Sequence, residues 1–149
     1  MRLIFIFFIS TLFSFSFGQK EKTSEAYFNQ AALEYINKIG LENIAAYENE
    51  LLEYATEQLG TIPGLQIYGQ AAEKIAVISF NVDGIHPYDI GSILDKLGIA
   101  VRTGHHCAQP IMDFYKIPGT VRASFAFYNT REEIDLLVAG VKRALSMLQ

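Results

Sequence analysis

Cys107 is the one cysteine of the chain, and it lies within Arg102-Thr103-Gly104-His105-His106-Cys107-Ala108-Gln109-Pro110. Two imidazoles directly precede the thiol, and a guanidinium stands five positions upstream. Positive groups beside a thiol favour the thiolate, which is the nucleophilic form. Gly104 and Pro110 interrupt regular structure on either side, so the sulfur is expected in a non-helical loop. A single cysteine is more often a small buried hydrophobe. The basic, glycine- and proline-flanked setting is what sets this one apart. His105 and His106 also read as plain loop residues or as zinc ligands. Zinc wants several spaced donors, whereas the third histidine, His86, is distant in sequence, so no metal is expected.

The elements around this loop follow from hydrophobic spacing. Residues 25–39 carry Ala32, Tyr35, Ile36 and Ile39 at helical intervals. A second helix is predicted from about Glu42 to Leu59, with Ile44, Leu51, Leu52, Ala55 and Leu59 facing inward. Gly60 and Pro63-Gly64 end it. Strands are predicted at Leu65–Tyr68 and Lys74–Phe80. Asp83-Gly84 turns the chain into a helix that starts at Pro87, carries Ile90, Ile93, Leu94 and Leu97, and closes at Gly98. Ile99–Arg102 reads as a strand feeding the cysteine loop, and Ala108–Thr120 as the rest of that loop. Val121–Phe127 alternates as a strand, with Val121, Ala123, Phe125 and Phe127 on one face and Arg122, Ser124 and Ala126 on the other. Thr130-Arg131-Glu132-Glu133 is a capping box before a helix striped by Ile134, Leu137, Val138, Val141 and Leu145. Adjacent strands without intervening helices imply mostly antiparallel pairing. The expected fold is α+β, a small, mostly antiparallel sheet covered by helices.

Half of the 149 residues are hydrophobic, with eleven Phe and eight Tyr, enough for one core. The net charge is −4 and no basic patch stands out, so nucleic acid is not an expected partner. One cysteine excludes an intrachain disulfide and a CxxC motif. Met1-Arg2 is followed by an apolar run to Phe17 with no charge before Lys20. Residues 1–19 therefore read as a signal-peptide-like leader pointing to secretion, and 20–24 as a polar linker. Residues 25–149 form the expected domain.

The cysteine segment, together with Val121-Arg122-Ala123-Ser124-Phe125-Ala126-Phe127-Tyr128-Asn129-Thr130, resembles the C-terminal small domain of cysteine desulfurases. These are class V aminotransferase-like, pyridoxal-phosphate-dependent enzymes of fold type I. The resemblance is to the subgroup with a short cysteine loop that serves iron–sulfur cluster assembly. It extends from about Glu25 to Gln149 and takes in Ile62-Pro63-Gly64-Leu65 and Asp83-Gly84. It implies an enzyme that converts L-cysteine to L-alanine and leaves a persulfide for a sulfur-acceptor protein. By position, Cys107 is the implied persulfide nucleophile and Arg122 the implied grip on the substrate carboxylate. Arg102 is the implied support of loop or substrate, and His105 and His106 are loop neighbours. Read without the resemblance, Arg122 is an exposed charge or a partner of Asp95 or Glu133, and Arg102 is structural.

The resemblance also implies what is missing. The family's cofactor domain, with its His-Lys segment, has no counterpart among Lys20, Lys22, Lys38, Lys74, Lys96, Lys116 and Lys142, so no cofactor-binding residue is expected in this chain. The chain is therefore expected to be a desulfurase fragment, inactive alone. The alternative is a non-catalytic module that docks a sulfur acceptor or a complementary pyridoxal-phosphate domain. The family is homodimeric and cytoplasmic, which conflicts with the leader. A leader joined to a desulfurase tail by rearrangement of the reading frame would account for both. Faces that would meet a larger domain, such as the helix at 25–39 and the Phe125/Phe127 neighbourhood, are expected to expose apolar area.

Overall fold

The computed structural model describes residues 24–148. The leader and linker expectations for residues 1–23 lie outside them. Nine elements follow in order: α1 (Ser24–Ile39), α2 (Leu41–Gly60), β1 (Leu65–Tyr68), β2 (Val77–Val82), α3 (Pro87–Lys96), β3 (Arg102–Gly104), α4 (Gln109–Tyr115), β4 (Thr120–Ser124) and α5 (Arg131–Leu148). The strands form one sheet in the order β1-β2-β4-β3, and every pair is antiparallel. This is the α+β arrangement expected. Among the described residues no helix is long and apolar enough to cross a membrane.

Alternation decides which face of the sheet is covered. Ile78 and Phe80 on β2, and Val121 and Ala123 on β4, point to one side and are buried. Leu51, Leu52, Ala55 and Leu59 of α2, Ile90 and Leu94 of α3, and the α5 stripe from Ile134 to Leu145 pack against them. Ser79, Arg122 and Ser124 alternate to the opposite face, where they are half-buried. That second face carries the polar chemistry, and α4 lies over it.

Local signals fix the connections. Pro63-Gly64 makes a turn closed by the Leu65 N–H donating to the Ile62 carbonyl at 3.2 Å, with Gly64 at φ 74°. The capping box forms in both directions. Thr130 Oγ1 accepts from the Glu133 N–H at 3.3 Å, and Glu133 Oε2 accepts from the Thr130 N–H at 3.2 Å. Glu133 also takes a hydrogen bond from Asn129 Nδ2 at 2.9 Å.

Several expectations are corrected. Strand β2 runs Val77–Val82 rather than Lys74–Phe80, because its ladder with β1 pairs Val82 with Leu65 and leaves Ile75 exposed. Strand β3 begins at Arg102, where the predicted strand Ile99–Arg102 ends. Ile99 and Val101 instead pack on the core from the preceding connection. Strand β4 stops at Ser124 rather than Phe127. There Asn129 folds the chain back, its Oδ1 accepting from the Ala126 N–H and its own N–H donating to the Ala126 carbonyl, both at 2.8 Å. Helix α4 occupies part of the predicted loop 108–120, with Pro110 in its first turn, where a missing donor costs nothing. Helix α1, by contrast, exposes apolar area as expected: of its spaced residues only Ile36 and Ile39 are half-buried, and Tyr35 is 59% exposed.

Candidate active site

Strand β3 ends at Gly104, and the chain turns at once. The Ala108 N–H donates to the His105 carbonyl at 2.9 Å, closing a four-residue turn. Both central residues lie in the left-handed region, His106 at φ 54° and Cys107 at φ 59°. Glycine and asparagine normally take such positions. L-residues pay roughly 1–2 kcal/mol each to be there. Cys107 is exposed at this turn. The Ala108 carbonyl then accepts from the Ile111 and Met112 N–H groups, starting α4.

Beneath the turn is a cavity of about 320 Å³ between α4 and the polar face of the sheet. Its lining includes Ser79 of β2, Arg122 and Thr120 of β4, Tyr68 of β1 and Tyr115 of α4. His106 and Ala108, the residues either side of Cys107, line it as well. The neighbours of the sulfur thus share a cavity with Arg122, while Cys107 itself stands exposed at the turn above it. Tyr68 and Tyr115 meet edge to face with ring centroids 5.3 Å apart.

Arg122 pairs in register with Ser79 on one side and Arg102 on the other. Like charges directly opposite in a ladder repel. Burial first, and the charge of Arg102 second, weigh against the protonated form of Arg122. Both effects are relieved by an anion at the shared face. A carboxylate matches a planar guanidinium best, because two parallel N–H donors meet its two oxygens. Glu133, one partner considered for Arg122 from sequence, belongs with Phe125 and Ile134 around a small void on the helical side.

His106 is tied to β4. Its Nε2 lies 3.0 Å from Thr120 Oγ1 and 3.2 Å from the Thr120 carbonyl. A carbonyl can only accept, so the Nε2–H tautomer is the one that serves both contacts, and in it Nδ1 is unprotonated. Nδ1 is buried without a hydrogen-bond partner. Burial lowers the His106 pKa, Arg122 lowers it further, and Arg102 and His105 add to this, while the Thr120 carbonyl works the other way. His106 is therefore neutral at neutral pH. This revises the expectation that both imidazoles lend positive charge to the thiol.

Sequence reasoning missed Ser79, Thr120, Tyr68 and Tyr115. Ser79 carried a signal, a polar residue inside the apolar run Ala76–Phe80. The others became site residues only through register and through α4. Among the described residues, no group of three His, Cys, Asp or Glu side chains could hold a metal ion. Pyridoxal phosphate needs a lysine amine for its carbonyl carbon, and among the described residues no lysine lines this cavity. The Arg122 guanidinium among its lining matches an anionic group, and the lining offers no amine to anchor the cofactor's carbonyl carbon.

Residues 20–137 match the class-V aminotransferase family. A cysteine desulfurase of Serratia proteamaculans is 54% identical over 118 residues, which are 79% of this chain and 29% of that protein. Among solved structures, the apo cysteine desulfurase from Thermococcus onnurineus NA1 superposes with a TM-score of 0.74 at 40% identity, covering 78% of this chain and 30% of that one. The cysteine desulfurase CsdA from Escherichia coli gives a TM-score of 0.72 at 34% identity, covering 78% and 29%. The chain spans about 29% of the length of the curated relatives it matches. Sequence over most of the chain and the helix-backed antiparallel sheet agree: the chain belongs to the class-V aminotransferase family and is similar within it to cysteine desulfurases.

Proposed function

We propose that this chain carries the sulfur-accepting part of a cysteine desulfurase. The observation that supports the reading is an exposed Cys107 on a turn whose flanking residues line the same cavity as Arg122. Arg122 holds the carboxylate of L-cysteine, with Arg102 adding positive charge from the neighbouring strand. The Cys107 thiolate attacks the substrate sulfur. A sulfur–sulfur bond forms as the substrate's carbon–sulfur bond breaks, and the carbon keeps the bonding pair. That carbon takes up the substrate's thiol proton, which gives alanine, and the persulfide stays on Cys107. A sulfur-acceptor protein then removes it, with iron–sulfur cluster assembly as its use.

The family is pyridoxal-phosphate dependent, and that cofactor supplies the electron sink such chemistry needs. No lysine lines the cavity among the described residues, which supports the reading that the chain does not turn over cysteine without a lysine-bearing cofactor domain. The test is to incubate the full chain with pyridoxal phosphate and L-cysteine, with and without a complete homologous desulfurase, and to follow alanine, sulfide and the intact mass of this chain. One added sulfur on the chain in the complemented mixture, lost in Cys107→Ser, is the expected result. An unchanged mass in that mixture overturns the sulfur-accepting role, and turnover by the chain alone overturns its dependence on a partner.

One observation favours a second reading. Ile111, Phe114 and Tyr115 of α4 stand exposed beside the cysteine turn, Phe114 at 78%. A non-catalytic module would use this rim to dock a sulfur acceptor or a cofactor domain. Acceptor binding that survives Cys107→Ser, with no persulfide ever formed, supports that reading over the first.

A further inference from the structure

His106 and Cys107 are consecutive left-handed residues, neither of them glycine. A turn of this kind persists only where its surroundings hold it. One hydrogen bond inside the turn closes it, from the Ala108 N–H to the His105 carbonyl. A second tie reaches the sheet, from the His106 ring to Thr120 at the start of β4. Thr120 is buried and fixed in register opposite Gly104. The ring thus bridges the two ends of the segment that carries the sulfur.

We propose that His106 is a positioning residue: as the neutral Nε2–H tautomer it ties the Cys107 turn to Thr120, and loss of that tie frees the exposed turn that holds the sulfur beside the cavity. The purpose of the device rests on the reading of Cys107 as the sulfur carrier. Attack on a substrate held at Arg122 needs the sulfur fixed at the cavity rim, whereas transfer to an acceptor needs it outside. The tie is sensitive to charge by construction. Arg122 on β4, Arg102 on β3 and His105 in the same turn face the ring, and the phenols of Tyr68 on β1 and Tyr115 on α4 share its cavity. A proton on Nδ1 would stand in this positive field without an acceptor, because Nδ1 has no hydrogen-bond partner. Burial and this field outweigh the Thr120 carbonyl, so a protonated ring is favoured outside this position and protonation loosens the tie.

The lone cysteine provides the test. A nitroxide attached to Cys107 in the full chain reports turn mobility by its resonance line shape, and circular dichroism of the same samples reports global folding. The expected spectrum is slow at neutral pH and turns fast as the pH falls below about 6.5, while the dichroism is unchanged. His106→Asn tolerates the left-handed backbone and cannot titrate, so its spectrum is expected to be flat across that range. His106→Ala is expected to be fast at every pH. Amide exchange at Ala108, in unlabelled protein, is expected to quicken at least tenfold across the same window. A wild-type spectrum that is independent of pH, or one that changes only as the protein unfolds, overturns the proposal. So does a His106→Asn chain that titrates like the wild type. None of these measurements needs turnover. Their failure removes the tether and leaves the sulfur-carrier reading standing, while a missing persulfide beside an intact titration removes that reading alone.

Discussion

Two arginines stand opposite each other in the ladder between β3 and β4, Arg102 exposed and Arg122 half-buried. Arg122 is the more enclosed of the two and belongs to the cavity. Replacing it with lysine keeps the charge and removes the planar fork. A hydrogen bond to a charged group is worth about 1.5–3 kcal/mol. Arg122→Lys is therefore expected to raise the KM for L-cysteine roughly ten- to hundredfold in the complemented assay, with a smaller effect from Arg102→Lys. Equal effects at both positions would mean that neither forks the carboxylate. The depressed pKa of His106 has its own signature in stability. Below about pH 6.5 the unfolded chain takes up a proton on this ring more readily than the folded chain, where the ring's place by Thr120 disfavours the charge. Stability therefore falls as pH drops from there through the native pKa, and above that window the group contributes nothing. Urea midpoints across this range are expected to fall less in His106→Asn than in the wild type.

At the scale of elements, the capping box is the clearest case of sequence dictating structure. Thr130→Ala removes the acceptor for the Glu133 N–H and is expected to cost about 1 kcal/mol. The readout is a lower urea midpoint at unchanged slope. Gly119 tests the opposite kind of constraint. It sits at φ 141°, and an added Cβ would lie 2.9 Å from the Gly104 carbonyl oxygen. Gly119→Ala is expected to cost roughly 1–3 kcal/mol and to perturb the cysteine turn, seen as altered Cys107 alkylation. Helices α2, α3 and α5 were legible because each carries a long apolar stripe, with Pro87 marking the start of α3 and the capping box that of α5. Strand ends were less so, since hydrogen-bond register sets them: nothing local in Lys74-Ile75-Ala76 says that pairing starts at Val77. Helix α4 was hidden because Pro110, Pro118 and Gly119 read as loop punctuation, while a single helical turn of Ile111, Met112 and Tyr115 leaves too short a pattern. In the site, Cys107, Arg122, Arg102, His105 and His106 were named from residue type and resemblance. Thr120 and Ser79 depend on which residues the ladder sets side by side.

Taken whole, the molecule buries one face of its sheet thoroughly and leaves apolar side chains elsewhere in water. Leu33 and Tyr35 on α1 are 62% and 59% exposed, and Phe114 on α4 more so. Tyr35 meets Phe127 with ring centroids 6.2 Å apart, so α1 and the post-β4 turn form one neighbourhood. Contiguous exposed apolar area of this kind drives association. The isolated chain is expected to self-associate with rising concentration, measured by light scattering. A monodisperse monomer at high concentration would show that these patches need no cover. The same geometry bears on how such a scaffold can change over generations. Residues 105–119 leave and rejoin the sheet at facing ladder positions, Gly104 opposite Thr120. A segment anchored like this is an exchangeable cassette: doubling its length adds only about 0.6 kcal/mol of closure entropy. Its length and reach can therefore be refitted by insertion or deletion, while the four-stranded platform keeps Arg122 in register.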